Sequence, residues 1–134
     1  MKRTLCVLAA SSFLFQCAFA AQAGNERQWI GVWEGRLDNQ PGVTVTLGND
    51  AGDLEGTIVF NVVARDGGEA RVVGHDAHVL THVNLDDNTL AFHVIQLGDS
   101  RELHLAMKLT GDDKAVLECA DCGGPGATKL NRIH

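Results

Sequence analysis

Leu90-Ala91-Phe92-His93-Val94-Ile95-Gln96-Leu97-Gly98-Asp99-Ser100-Arg101-Glu102-Leu103-His104-Leu105-Ala106-Met107 is the stretch that decides the fold. In its first arm Leu90, Phe92 and Val94 alternate with Ala91, His93 and Ile95. That period of two is the mark of a strand with one buried face. Gly98-Asp99 suits a two-residue type II′ turn, whose first position requires positive φ. A turn there pairs Leu97 with Ser100. It then sets Phe92 opposite Leu105, Leu90 opposite Met107 and His93 opposite His104. The first two pairs are apolar and the third polar, so the register is self-consistent.

The same pattern extends in both directions. Upstream, Trp29, Gly31, Trp33, Gly35 and Leu37 share a face, and Pro41-Gly42 reads as the following turn. Val43, Val45 and Leu47 then alternate with Thr44 and Thr46. After a loop over 48–53, Leu54, Gly56, Ile58, Phe60 and Val62 form the next apolar row. Gly67-Gly68 between Asp66 and Glu69 is a hairpin signal, and Arg71 to Val73 starts the return strand. The segment 75–84 is the least regular. Downstream, Asp86-Asp87-Asn88 and Gly111-Asp112-Asp113 are turns, Ala115, Leu117 and Cys119 share a face, and 128–133 reads as a last strand. No segment has helical periodicity over a dozen residues. The expectation is an all-β, antiparallel up-and-down meander of about eight strands closed into a barrel, which removes exposed edges. A two-sheet β-sandwich is the alternative.

The N-terminus reads differently. Lys2 and Arg3 precede an apolar run from Leu5 to Phe15, and Ala18-Phe19-Ala20 is a small-x-small site. This is the pattern of a cleaved secretory signal peptide over 1–20, with a second site at Ala21-Gln22-Ala23 extending it to 1–23. The run falls short of the roughly 20 apolar residues that span a bilayer. Bulky Leu14-Phe15-Gln16 before Cys17 argue against lipid attachment there. The expected location is therefore exported, periplasmic or secreted, with residues 24–134 as a single domain.

Loss of Lys2 and Arg3 leaves 9 Lys and Arg against 17 Asp and Glu, and moves the formal charge from −6 to −8. Such a surface repels phosphates, so nucleic acid is not an expected partner. No later segment is apolar enough for membrane insertion. Of the aromatics, Trp29, Trp33, Phe60 and Phe92 remain, without tyrosine. Of the cysteines, Cys119 and Cys122 remain, and in an exported protein an even pair reads as a disulfide. Half of a metal site is a second reading. Redox catalysis is a third, and it calls for a helix N-terminus where this pair has a strand before it and glycines after it.

Gly31-Val32-Trp33 near the start of the first strand resembles the Gly-x-Trp signature of lipocalin-like, calycin-type barrels. The resemblance implies an eight-stranded barrel with a possible cavity, and a structural tryptophan at its base. The chain is shorter than lipocalins and lacks the helix that follows their barrel. It also lacks the tryptophans and tyrosine of an avidin-type site. The resemblance therefore implies an architecture and names no ligand.

The inward row supplies the expected ligand-binding residues: Trp33, Ile58, Phe60, Phe92, Val94, Leu105 and Met107. If the barrel is hollow, this lining takes a small apolar or amphipathic molecule, driven by desolvation. If it is filled, as small barrels often are, the protein is a structural or interaction domain. An envelope protein partner would then meet Val59, Val63 and Ile95 on the outer face. The third expectation is a histidine-based metal protein. His75, His78 and His82 form one group, but about 13 Å separates residues four apart on a strand, too far for one ion. His93 facing His104 forms another, with no third ligand evident. No metal ligand and no cofactor is assigned on these grounds. Ser100 lacks a nucleophile elbow, Asp86-Asp87-Asn88 lacks the spacing of a calcium loop, and no catalytic residue is expected.

Overall fold

In the computed structural model the described residues are 26–134, apart from Leu97, Gly124 and Pro125. The segment 1–20 read as a signal lies outside them. Nine strands follow in order: β1 (Gly31–Leu37), β2 (Gln40–Asp50), β3 (Asp53–Asp66), β4 (Glu69–Val79), β5 (Thr81–Asp86), β6 (Thr89–Ile95), β7 (Glu102–Gly111), β8 (Lys114–Cys119) and β9 (Thr128–Ile133). They form one antiparallel sheet in the order β4-β3-β2-β1-β9-β8-β7-β6-β5. The all-β antiparallel meander expected from the sequence is what is found, and β1 meets β9 through Val32↔Ile133.

The closed barrel is not. The sheet curls into a half-barrel whose edges are β4 and β5, and the sandwich alternative fails because there is one sheet. The cause lies at Leu80. Every ladder is antiparallel, so β4 and β5 must run in the same direction. The chain makes no reversal between Val79 and Thr81. It pairs with β3 before Leu80 and with β6 after it. A hairpin ladder between the two edges therefore cannot form, and the expected eight strands become nine. Three contacts hold the chain around Leu80, and one of them, from His78, crosses from β4 to β6. Leu80 N–H donates to the Gly56 carbonyl (3.0 Å), His78 Nδ1–H to the Ile95 carbonyl (3.0 Å) and the Thr81 hydroxyl to the His93 carbonyl (3.1 Å).

Turn chemistry explains most of the hairpins. Gly67 and Gly68 take φ of 61° and 90° between paired Asp66 and Glu69, the double positive φ of a type I′ turn. The turn expected at Pro41-Gly42 sits instead at Asp38-Asn39, with φ of 50° and 63°. Asp and Asn tolerate that region. Pro41 lies inside β2, opposite Arg36 at a register shift. The β6–β7 register agrees with the sequence reading at Phe92↔Leu105, Leu90↔Met107 and His93↔His104. The Leu97 side of its turn lies outside the described residues.

One end of the half-barrel is packed solid. Trp29, Trp33, Phe92, Leu90, Met107 and Leu130 are almost completely buried there. A short turn at 26–29, closed by Trp29 N–H to the Glu26 carbonyl (2.9 Å), covers this end. Arg132 from β9 places its guanidinium 4.6 Å above the Trp33 ring. It donates to the Ile30 carbonyl (3.1 Å) and to the Gln28 carbonyl.

On the opposite rim Arg65 grips Asp38 with two donors, Nε to Oδ2 at 2.9 Å and Nη2 to Oδ1. This fork holds the Asp38 carboxyl below its ordinary range, mainly through the hydrogen bond. A depressed carboxylate stabilises the fold above its unfolded pKa. The contribution disappears as pH falls through the folded value. Arg65→Gln is expected to move the Asp38 titration upward, read by carboxyl-carbon NMR, with little change in melting because the pair is exposed.

Candidate functional site

The inner face changes character along the barrel axis. Beyond the packed end, side chains of β1, β2, β3, β7 and β8 diverge and leave a half-open cup of about 290 Å³. Leu37, Val43, Phe60, Leu105 and Leu117 form its apolar wall. Cys119 and Cys122, bonded to each other with Cα atoms 5.5 Å apart, form part of the rim. The disulfide expected from the sequence is thus present. A bonded pair is consistent with an oxidising, exported compartment.

The expected ligand-binding residues divide between the cup and the core. Phe60 and Leu105 line the cup. Trp33, Ile58, Phe92, Val94 and Met107 are fully buried in the core and do not line it. Of the outer-face apolars, Ile95 is half exposed and Val59 and Val63 are partly covered.

Polar groups complete the inner face near the seam. His78 and Asp76 pair across the ladder with Ile58 and Phe60 and so share their inward face. His78 is buried, lies 2.9 Å from Asp76 through Nε2, and meets the Phe60 ring edge-on at 5.9 Å. His75 points the other way and bonds Asn61 Oδ1 through Nδ1 (2.6 Å). Strand alternation thus sets His75 and His78 on opposite faces, and the three histidines do not converge.

His82 has moved to a different set. Thr81 pairs with His93 and Asn84 with Ala91, so two residues, His82 and Val83, oppose Phe92 alone. That is a β-bulge, which re-aims side chains. Val83 packs on the core, and His82 is turned to solvent with φ of 49°. Its ring lies 4.9 Å from the His93 ring. His93 in turn stands 4.2 Å from the His104 ring, edge to face. Thus the cross-strand pair expected from the sequence is present, and it gains a third imidazole.

Two carboxylates hold this row. Glu102 Oε1 accepts from His93 Nδ1 at 2.5 Å and lies 3.7 Å from His82 Nδ1. Asp121, in the disulfide turn, accepts from both Nδ1 (2.6 Å) and the backbone N–H (2.8 Å) of His104. The His93 hydrogen bond, then the surrounding imidazole charges, hold Glu102 below the ordinary carboxylate range. The side-chain and backbone bonds from His104 do the same for Asp121. Ligand atoms of His82, His93 and Glu102 all lie within 4.8 Å of one another. Sequence reasoning missed Glu102, although the hairpin register already placed it beside His93 on the outer face.

Among the described residues no helix is long and apolar enough to cross a membrane. Compared with protein families, with curated proteins and with solved structures, the chain matches none.

Proposed function

We propose that the protein is an exported, soluble binding module that seats a small apolar or amphipathic ligand in the open end of its half-barrel. The observation that carries this reading is the division of the interior. One half is filled by its own side chains, and the other leaves a cup walled by Leu37, Val43, Phe60, Leu105 and Leu117. Ligand sites are usually concave, mostly apolar and roughly 300–1,000 Å³. A cup of about 290 Å³ sits just under the lower bound of that range. It suits a small molecule, or the apolar part of a larger one whose polar end stays in water. Trp33 at the packed end is in keeping with the calycin-type resemblance, where that residue is structural. The signal-like N-terminus and the bonded cysteines support export. The acidic surface argues against nucleic acid as a partner.

Titration with N-phenyl-1-naphthylamine, a small apolar fluorophore, tests the reading. The expected result is saturable one-to-one fluorescence enhancement that Leu117→Trp, which fills the cup, removes. Val43→Phe is the second filling variant, and circular dichroism checks that each stays folded. Absence of saturable binding, or binding indifferent to both substitutions in folded protein, overturns the proposal.

A further inference from the structure

We propose that the outer face of β5, β6 and β7 carries a binding site for one divalent transition-metal ion of the zinc kind, with His82, His93 and Glu102 as ligands and a fourth position open to solvent. This site is independent of the cup, which lies on the opposite face of the sheet.

The donor set is the first argument. Two imidazoles and one carboxylate suit zinc, which binds such groups at about 2.0–2.2 Å and leaves a fourth position to water in open sites. Tetrahedral bonds of that length put donor atoms roughly 3.3–3.5 Å apart. The Glu102 Oε1 to His82 Nδ1 separation is already 3.7 Å, and the three donors fall within 4.8 Å. Partly exposed side chains close the remaining gap by small rotations. The 2.5 Å hydrogen bond between His93 Nδ1 and Glu102 Oε1 opens to admit the ion, which then bridges the same two atoms.

The second argument is placement. Each ligand comes from a different strand, and the ladders Thr81↔His93 and Ile95↔Glu102 fix their spacing. The convergence does not depend on a flexible loop.

The third argument is the backbone at His82. Seven described non-glycine residues have positive φ, and six lie in hairpin turns. His82 alone adopts it inside a strand. Glycine would suit that conformation better, so the histidine sits there against local preference. An outlier of this kind points to a use for its side chain. The use available here is the contact with His93 and Glu102.

His104 and Asp121 complete the surroundings. Asp121 fixes the His104 ring through Nδ1, and that ring braces His93 edge-on. A carboxylate behind a histidine is a common outer partner of metal sites. Here it orients the ring that buttresses a ligand.

The test is calorimetric titration of chelator-treated protein with Zn²⁺, beside thermal melts with and without the metal. Wild type is expected to bind one equivalent and to melt higher when loaded, because binding to the native state stabilises it. His93→Ala and Glu102→Gln are expected to weaken binding about tenfold or more and to abolish the rise in melting temperature. His82→Gly is the decisive variant. It relieves the positive-φ side chain, so the metal-free protein should melt at the same temperature or higher while losing zinc. His75→Ala and His134→Ala control for adventitious surface histidines and should leave affinity unchanged. No saturable binding in wild type overturns the site. So does unchanged affinity in His82→Gly or His93→Ala, or an equal loss in His75→Ala. None of these outcomes affects fluorophore binding in the cup, so the two proposals fail separately.

Discussion

Trp33→Ala is expected to cost roughly 3–5 kcal/mol, the range for removing a fully buried large aromatic from a core. Native domains hold only about 5–15 kcal/mol in total, so the variant should be largely unfolded near physiological temperature. Three losses coincide at this residue. The ring is completely buried, and the chain closing around it is held in β-ladders, so the space cannot simply collapse. Its Nε1–H donates to the Trp29 carbonyl at 2.8 Å, which leaves a buried acceptor unpaired when removed. Its face supports the Arg132 guanidinium, which also holds the Gln28 and Ile30 carbonyls and pairs with Asp113 at 3.2 Å. Trp33→Phe keeps part of the ring and of the cation–π contact, so it should cost less than half as much. Urea denaturation followed by far-ultraviolet circular dichroism measures both. A loss under about 1 kcal/mol for Trp33→Ala would be that of an average substitution, and would remove Trp33 as the organiser of the packed end.

Gly56→Ala has the second large effect, and it comes from adding atoms. A Cβ at Gly56 would lie 2.0 Å from the Thr46 carbonyl oxygen and 3.0 Å from a Leu47 methyl. The first of these partners is backbone in a paired strand and cannot rotate away. β2 and β3 must part locally at Leu47↔Gly56. The Gly56 carbonyl also accepts the Leu80 N–H, so displacement of β3 loosens the chain where it passes from β4 to β5. Overpacking usually costs about 1–3 kcal/mol and sometimes more. A backbone clash at a junction belongs at the top of that range. Hydrogen exchange should show lost protection at Leu80 in particular. Gly48→Ala, where an added Cβ meets nothing within 4 Å, is the matched control and should stay close to wild type.

The hairpins that were readable in the sequence are those where two local signals agreed: alternation along the strand and a turn that accepts positive φ. Phe92↔Leu105 followed from Gly98-Asp99 alone. Pro41-Gly42 misled because proline and glycine mark irregular backbone without saying whether it is a turn or a bulge. The open seam was hidden for a related reason. Nothing in Val79-Leu80-Thr81 signals a break, since the chain does not turn there. It changes partner, and a partner is a tertiary property. The histidines show the same limit. Their spacing along the chain implied one shared strand face for His78 and His82, and the bulge turns His82 to the other. The neighbours that matter to His82 lie across the ladder, reached through an extra residue at a bulge that the sequence pattern does not mark. Glu102 was legible once the register was known.

The seam divides the sheet into two arms of contiguous sequence, β1–β4 and β5–β9. Within each arm every ladder joins chain neighbours, so its contacts are short-range. The one ladder that joins the arms is that of β1 with β9, a junction reinforced by Arg132 and the Ile30 carbonyl 102 residues away. Bringing those ends together closes one long loop, whose entropy grows slowly with length but must be met all at once. Local ladders can assemble before that closure, and it is the long-range step that slows β-rich chains. The stack of Arg132 on Trp33 thus acts as the latch of a molecule otherwise built from near neighbours, and the order of assembly is written into where its two arms join.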